Sequence, residues 1–258
     1  FSKRETVQTD ALSRAERVRL AFEELGPTFI KLGQILSTQP GLIPVDIATE
    51  LAKLQDDVPA CDFAPIQVII EQELGQPLTA LFASIEKKPI ASASIGQVYV
   101  AEMPDGKKVA VKVQRPGIQK TVEVDLEIMF YLASLMENYI EEASHHQPSA
   151  IVEEFARVLE KELNFSIEAA NMEQFTTLFA NDHTIYIPEI INDYTTSKVL
   201  TMEYIEGIKL SDIDRLNGNG YNAEKITTRI ADIMFTQIFR HGFFHADPHP
   251  GNIFILPG

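Results

Sequence analysis

The sequence has a single cysteine, Cys61, among 258 residues. No disulfide can close within the chain, and a reducing compartment is the expected home. Long apolar runs are also missing. The longest, 128–136, is interrupted by Ser134, whereas a bilayer-spanning helix takes roughly 20 apolar residues. The opening Phe1-Ser2-Lys3-Arg4-Glu5 has no apolar core of the kind a signal peptide needs. Basic charge is scarce: 22 Lys+Arg stand against 37 Asp+Glu, a formal net charge of −15. That balance excludes a generally basic, phosphate-neutralising surface and leaves room only for a local patch. Composition is otherwise ordinary, at 45% hydrophobic and 23% charged, which excludes general disorder. No internal repeat is visible. The length suits one large domain or two smaller ones, and an opening Phe with a Pro257-Gly258 ending suggests a piece of a longer chain.

What is there falls into two regimes. From residue 11 to about 84 the pattern is helical. Leu12, Ala15, Val18, Phe22 and Leu25 recur at three- and four-residue steps, and Gly26-Pro27 stops that helix. A second helix from about Thr28 ends at Pro40-Gly41, a third covers about 45–54, and a fourth opens behind Asp62 and closes at Gly75. Around residue 85 the period changes. Residues 96–103 and 108–113 read as two strands joined by the turn Pro104-Asp105-Gly106. Helical stretches are expected over about 118–140 and 150–179, strands over 185–191 and 199–204, a helix over about 223–240 and a last strand over 253–256. A hairpin followed by helices and later strands is an α+β layout rather than a parallel doubly wound sheet.

The sharpest chemical signal is His245-Ala246-Asp247-Pro248-His249-Pro250-Gly251-Asn252, just before the last strand. An Asp followed five residues later by an Asn supplies what kinase-type phosphoryl transfer needs: a carboxylate for the nucleophile's hydroxyl and an amide oxygen for Mg²⁺. Two other readings stand beside it. One is a polar turn packed under a helix. The other is metal binding by His245, Asp247 and His249, which alternation would align only on a strand, and Pro248 and Pro250 argue against one.

Lys112 ends Val109-Ala110-Val111-Lys112 on the returning strand, and a charge among apolar neighbours needs a partner. A snorkelling edge lysine is the plain reading; position favours another. Upstream lies Ala91-Ser92-Ala93-Ser94-Ile95-Gly96-Gln97-Val98, matching the kinase loop G-x-G-x-x-G-x-V with alanine at the first two glycine positions. Small side chains let backbone amides approach phosphate oxygens. The candidate partner of Lys112 is Glu168, abutting the small residues Ala169-Ala170, against the ordinary reading of a solvated helix face. Met202-Glu203-Tyr204-Ile205-Glu206-Gly207 follows a β-branched strand in the place of a kinase hinge, where backbone groups would bond adenine.

Together these segments resemble the UbiB/ADCK family of atypical protein-kinase-like ATPases associated with coenzyme Q biosynthesis. The most specific element is Lys31-Leu32-Gly33-Gln34, matching that family's K-x-G-Q motif; by periodicity alone Lys31 and Gln34 read as the polar face of a helix. The Ala-rich loop and the helical insertion between Lys112 and Glu168 are further marks. The resemblance implies a bilobal kinase-like fold with an N-terminal helical extension (1–84) laid across the active site, an N-lobe (85–204) with an insertion at about 115–150, and the start of a C-lobe (205–258). It implies ATP and Mg²⁺ as cofactors. Lys112 would bind the α/β-phosphates and pair with Glu168, Asp247 would be the catalytic acid, and Asn252 a Mg²⁺ ligand. Lys31 and Gln34 would reach into the site. The nucleotide would lie among Ala91, Ser92, Ala93, Ser94, Gly96, Val98, Ala110, Glu203 and Ile205.

Two departures from the family stand out. Its E-x-D motif is Glu162-Leu163-Asn164 here, leaving Glu162 alone to meet Lys31 or a metal, and Ser92 replaces an alanine. The kinase D-F-G segment would fall after residue 258. The implied function is a Mg-ATP-dependent ATPase or a small-molecule- or lipid-directed kinase. Partners would be isoprenoid lipids or quinone precursors, a membrane surface and quinone-biosynthesis enzymes, with no nucleic acid. The expected place is cytoplasmic, at the inner face of a membrane. A phosphotransferase of the aminoglycoside/choline-kinase type and a nucleotide-gated scaffold are the alternatives.

Overall fold

The computed structural model describes residues 12–39, 41–54, 59–140, 147–245 and 250–256. The chain divides into two compact units, Phe1–Glu173 with Glu189–Glu203, and Gln174–Pro188 with Tyr204–Gly258.

The first unit opens with three helices, α1 (Arg14–Leu25), α2 (Pro27–Ser37) and α3 (Val45–Leu51). A reciprocal cap starts α1: Ser13 Oγ accepts from Glu16 N–H, and the Glu16 carboxylate accepts from Ser13 N–H. Gly26, at φ 103°, turns the chain into α2, and Pro27 presets its first turn. Ala15, Ile30, Ile47, Leu51 and Leu54 give these helices a core of their own. Gly33 sits where that core is tightest. A Cβ there would lie 2.4 Å from Leu54 Cδ1 and 2.9 Å from Phe22 Cδ2, so only glycine lets α2 pack this closely.

The opposite side of α2 docks on two longer helices, α6 (Ile118–Tyr139) and α7 (Pro148–Glu162). Phe29, Leu32 and Ile35 pack against Ile118, Val122, Met129, Phe155 and Leu159. The buried Thr28 hydroxyl adds a bond to the Asp125 carboxylate at 2.5 Å.

Between these helices in sequence lie α4 (Phe63–Leu74), α5 (Leu78–Leu81) and an antiparallel sheet. Its strands are β1 (Ser84–Ile85), β2 (Ala91–Ser92), β3 (Gly96–Glu102), β4 (Lys108–Gln114) and β5 (Val199–Glu203). The order is β1-β3-β4-β5, with β2 also on β3. Alternation along β4 sends Val109, Val111 and Val113 to one wholly buried face, with Tyr99 and Val199, against Ile66, Ile70, Leu81 and Phe82. The other face meets helix α8 (Phe165–Leu178) through Phe165, Ala169 and Leu200.

Residues 150–179 are not one helix: α7 stops at Glu162 and α8 starts at Phe165. Asn164 explains the restart, because its Oδ1 accepts from Ser166 N–H at 3.1 Å, a bond that favours a helix start over a helix interior. Residues 185–191 do not form a strand. They make a single bridge, Ile190 to Met202. Pro188 has no N–H to offer a ladder, and the chain tightens into a 3-10 turn at Asn192–Tyr194.

The second unit holds α9 (Ile213–Gly218), α10 (Ala223–Phe235) and a two-stranded antiparallel pair, β6 (Ile208–Lys209) with β7 (Phe254–Ile255). Asp212 and Asn222 side chains cap the two helices. The helix expected over 223–240 is α-helical only to Phe235. It continues as a wider π turn, Thr236–His241, closed by Gly242 at φ 63°. The Arg229 guanidinium ties α10 to Asp182 and Thr184.

Candidate functional site

Lys112 stands mid-strand, opposite Val98 of β3 and Leu200 of β5. Strand alternation puts it, with Ala110, on the face away from the valine core, and its cross-strand partner Val98 shares that face. Its ammonium lies 2.6 and 2.9 Å from the two Glu168 carboxylate oxygens and 4.8 Å from the centroid of the Phe165 ring. Phe165 and Glu168 are one turn apart at the start of α8 and so present one face to the lysine. The helix N-terminus also favours a carboxylate there. With side-chain exposures of 22% and 39%, the pair is reachable from solvent rather than sealed in the core.

The small-residue segment lies beside this pair. Ala91 and Ser92 form a short strand on β3, and Ala93 N–H donates to Gly96 C=O at 2.8 Å, closing a turn over 93–96. A Cβ at Gly96 would come within 3.0 Å of the Val113 carbonyl oxygen and 3.3 Å of Phe165 Cζ. Glycine there lets the Phe165 ring lie under the turn and beside Lys112 together. Ser92 Oγ accepts from Gln97 Nε2 at 3.1 Å and from the Arg115 guanidinium at 2.7 Å. Both of its lone pairs are engaged, and one O–H is left to donate. Ser94 is buried.

From the helical extension, the Lys31 ammonium reaches Glu162 at 3.2 Å. Gln34 turns inward, donating its amide to Leu54 C=O at 3.2 Å. Glu162 ends α7 three residues before α8 begins, so both ion pairs attach to one corner of the chain. That corner is fastened to the sheet, since Gln114 of β4 donates its amide to Leu163 C=O. Asn164, in the place of the family's acid, is used in the helix cap.

Glu203 ends β5, its N–H donating to Glu189 C=O at 2.8 Å, and the two compact units divide immediately after it, before Ile205. In the second unit, His245 N–H donates to the Oε1 of the buried Gln237 at 2.9 Å. Asn252 closes a 3-10 turn, Pro250–Asn252, ahead of β7. Asp247 and His249 lie outside the described residues, and with them the aspartate half of the catalytic-loop reading and two groups of the His/Asp metal reading. Among the described residues no group of three His, Cys, Asp or Glu side chains is placed to hold a metal.

Arg115, Gln97 and Phe165 were not singled out in the sequence, though each touches the turn or Lys112. An arginine directly after an apolar strand and before Pro116-Gly117 was the visible signal for the first. Burial lowers the Arg115 pKa from its ordinary value, offset in part by Cys61 and Tyr99. Burial, with a smaller contribution from Cys61, pushes the Tyr99 phenol up to about 12.

Residues 53–257 match the ABC1 atypical kinase-like domain family. The chain belongs to this family. A "Probable protein kinase UbiB" of Marinobacter nauticus is 47% identical over 244 residues, covering 95% of this chain and 45% of that protein. Its namesake in Aeromonas salmonicida is 44% identical over 245 residues, with the same coverage of each. The chain thus spans less than half the length of these relatives. Among solved structures, the Rv3197–erythromycin complex from Mycobacterium tuberculosis is similar at a TM-score of 0.67 and 30% identity, covering 94% of this chain and 61% of that one. The architecture is accordingly the α+β, kinase-like fold of the ABC1 family. No helix of the described residues is long and apolar enough to cross a membrane.

Proposed function

We propose that the chain binds Mg-ATP and acts as an ATPase or a small-molecule- or lipid-directed phosphotransferase of UbiB type. It would support ubiquinone or other isoprenoid-lipid metabolism. The observation that carries this reading is the Lys112–Glu168 pair, with both carboxylate oxygens on one ammonium, beside the 91–96 turn. In kinase-type phosphoryl transfer a strand lysine held by a helix glutamate positions the α/β-phosphates, and catalysis is mostly placement and charge compensation.

The residues present fit that nucleotide. Ala91 and Ala93 carry nothing beyond Cβ, so phosphate oxygens could approach the backbone of the turn, while Gly96 lets the turn sit close on Phe165. Lys112 offers a compact cation whose orientation Glu168 and Phe165 fix. Ala110 and Val98, on the same face, would line the base side, with backbone groups of Glu203 at its edge. By the family resemblance, Asn252 would offer an amide oxygen of the kind a hard cation accepts, and Asp247 a carboxylate for the proton of an attacking hydroxyl or water. When bound, Mg²⁺ would supply neutralisation of the phosphate charge. Lys31, anchored on Glu162, places a second cation from the extension at the same corner, where Gln34 and Gly33 hold its helix close. An extension in that position favours small or lipid acceptors over protein ones.

The acceptor class is tested by incubating the protein with γ-labelled Mg-ATP, with and without vesicles of neutral and anionic phospholipid, and following the label. Release as free phosphate, raised by vesicles and lost in Asp247→Asn, is the expected result. Nucleotide bound without any label movement would sink the enzymatic reading and leave a scaffold. Label moving onto a hydrophilic amino-alcohol would favour the aminoglycoside-kinase type.

A further inference from the structure

Arg115 is the first residue after β4, and one side chain there gathers an unusual set of acceptors. Its Nε donates to Ala93 C=O at 2.7 Å, one terminal nitrogen donates to Ser92 Oγ at 2.7 Å, and both terminal nitrogens reach Pro59 C=O at 3.0 and 3.1 Å. Its backbone N–H donates to Ile95 C=O at 2.9 Å. Two carbonyls and one hydroxyl of the 91–96 segment therefore face a single residue. The third main-chain acceptor, Pro59, belongs to the stretch that leads into α4. Behind them stands a second tier: Gln97 donates to Ser92 and, through Oε1, accepts from Tyr99 O–H at 3.0 Å and from Cys61 S–H at 2.7 Å. Gln97 and Tyr99 are fully buried.

We infer that Arg115 is a positioning residue that sets the shape of the 91–96 turn and couples it to residues 59–61, thereby setting nucleotide affinity rather than turnover. The inference rests on the nucleotide-binding reading above. A glycine-rich loop can adapt to phosphates by backbone freedom, and alanine at 91 and 93 removes much of that freedom. A turn of this composition must be held in the competent shape beforehand. Arg115 does this through peptide geometry. In a trans peptide the C=O and the following N–H point to opposite sides, so fixing the Ala93 carbonyl toward the guanidinium turns the Ser94 N–H the other way. The planar fork is what reaches three acceptors together, and a lysine ammonium at the same place cannot reproduce it.

The test compares Arg115→Lys and Arg115→Ala with wild type by calorimetric titration of Mg-ATP, by KM and kcat, and by amide hydrogen exchange over 91–97 in the nucleotide-free protein. Asn222→Ala, which removes the N-cap of α10 in the second unit, is the control for general destabilisation. Arg115→Ala is expected to weaken Mg-ATP binding about tenfold, with kcat within twofold of wild type, and Arg115→Lys to fall between. Exchange over 91–97 should rise in both, and in Asn222→Ala neither affinity nor that exchange should change. Equal affinity and equal exchange in the Arg115 variants would overturn the inference. So would a loss of affinity in Asn222→Ala matching that of Arg115→Ala, since the effect would then be one of stability. If wild type binds no Mg-ATP, the functional reading fails on its own, and exchange over 91–97 still decides whether Arg115 shapes the turn.

Discussion

Two lysines meet the same corner of the chain, residues 162–168, by different physical routes. Lys112 arrives from the sheet, where antiparallel pairing with β3 and β5 and the period-two alternation of side chains dictate which way it points. Lys31 arrives from a helix whose place depends on tertiary docking: a glycine with no room for a methyl group, an apolar stripe on α6 and α7, and the Thr28–Asp125 bond. Lys112 meets both Glu168 oxygens and the Phe165 ring; Lys31 meets Glu162 at 3.2 Å. A lysine placed by strand register survives loosening of the structure around it; one placed by helix docking moves when the docking does.

The comparison is broken most severely at Lys112 itself. Lys112→Ala should lower ATP turnover by on the order of 10²-fold or more, the usual loss when a positioned charge stabilising phosphoryl transfer is removed, while circular dichroism still reports a folded chain. Gly33→Ala attacks the other route. Its methyl group would need space held by Leu54, Phe22 and Leu51, an overpacking that costs about 1–3 kcal/mol. Thermal unfolding should shift down, and the Lys31–Glu162 contact should loosen while Lys112–Glu168 stays, which crosslinking of α2 to α6 can follow.

Asn164 sharpens the comparison by a smaller step. Asn164→Ala should cost about 1 kcal/mol through the lost cap, and Asn164→Asp, which keeps the acceptor, should restore it; denaturant titration separates the two. The smallest effect is a pH dependence at Tyr99. Its phenol is pushed up to about 12 from 10.0, chiefly by burial. The folded state therefore holds a proton that the unfolded chain releases. Stability from this group is complete below pH 10 and is lost as pH rises toward about 12. Unfolding curves across that window should flatten in Tyr99→Phe.

Legibility in the sequence follows the same division. The 96–103 and 108–113 hairpin, and the face on which Lys112 sits, could be read from alternation because strand geometry is local. Periodicity made Lys31 and Gln34 a solvated helix face. Only the resemblance to a family moved them, because nothing in α2 says that Gly33 is pressed onto Leu54. The helix break at Asn164 was hidden for a related reason. A cap inside a strongly helical run is a single hydrogen bond, and periodicity averages over it. The 185–191 segment misled by composition: it is apolar and β-branched, yet Pro188 has no N–H for a ladder and the segment makes one bridge. Arg115 carried no periodic signal at all, since its acceptors at 59, 92 and 93 are brought together only by the fold.

The most direct test of the Lys112–Glu168 account is a Mg-ATP titration of wild type, Lys112→Ala, Glu168→Gln and the double variant. The account predicts that each single change weakens binding at least tenfold and that the double variant is no weaker than the worse single, since the two side chains act as one unit. Binding by Lys112→Ala as tight as wild type, or single losses that simply add in the double variant, would contradict it.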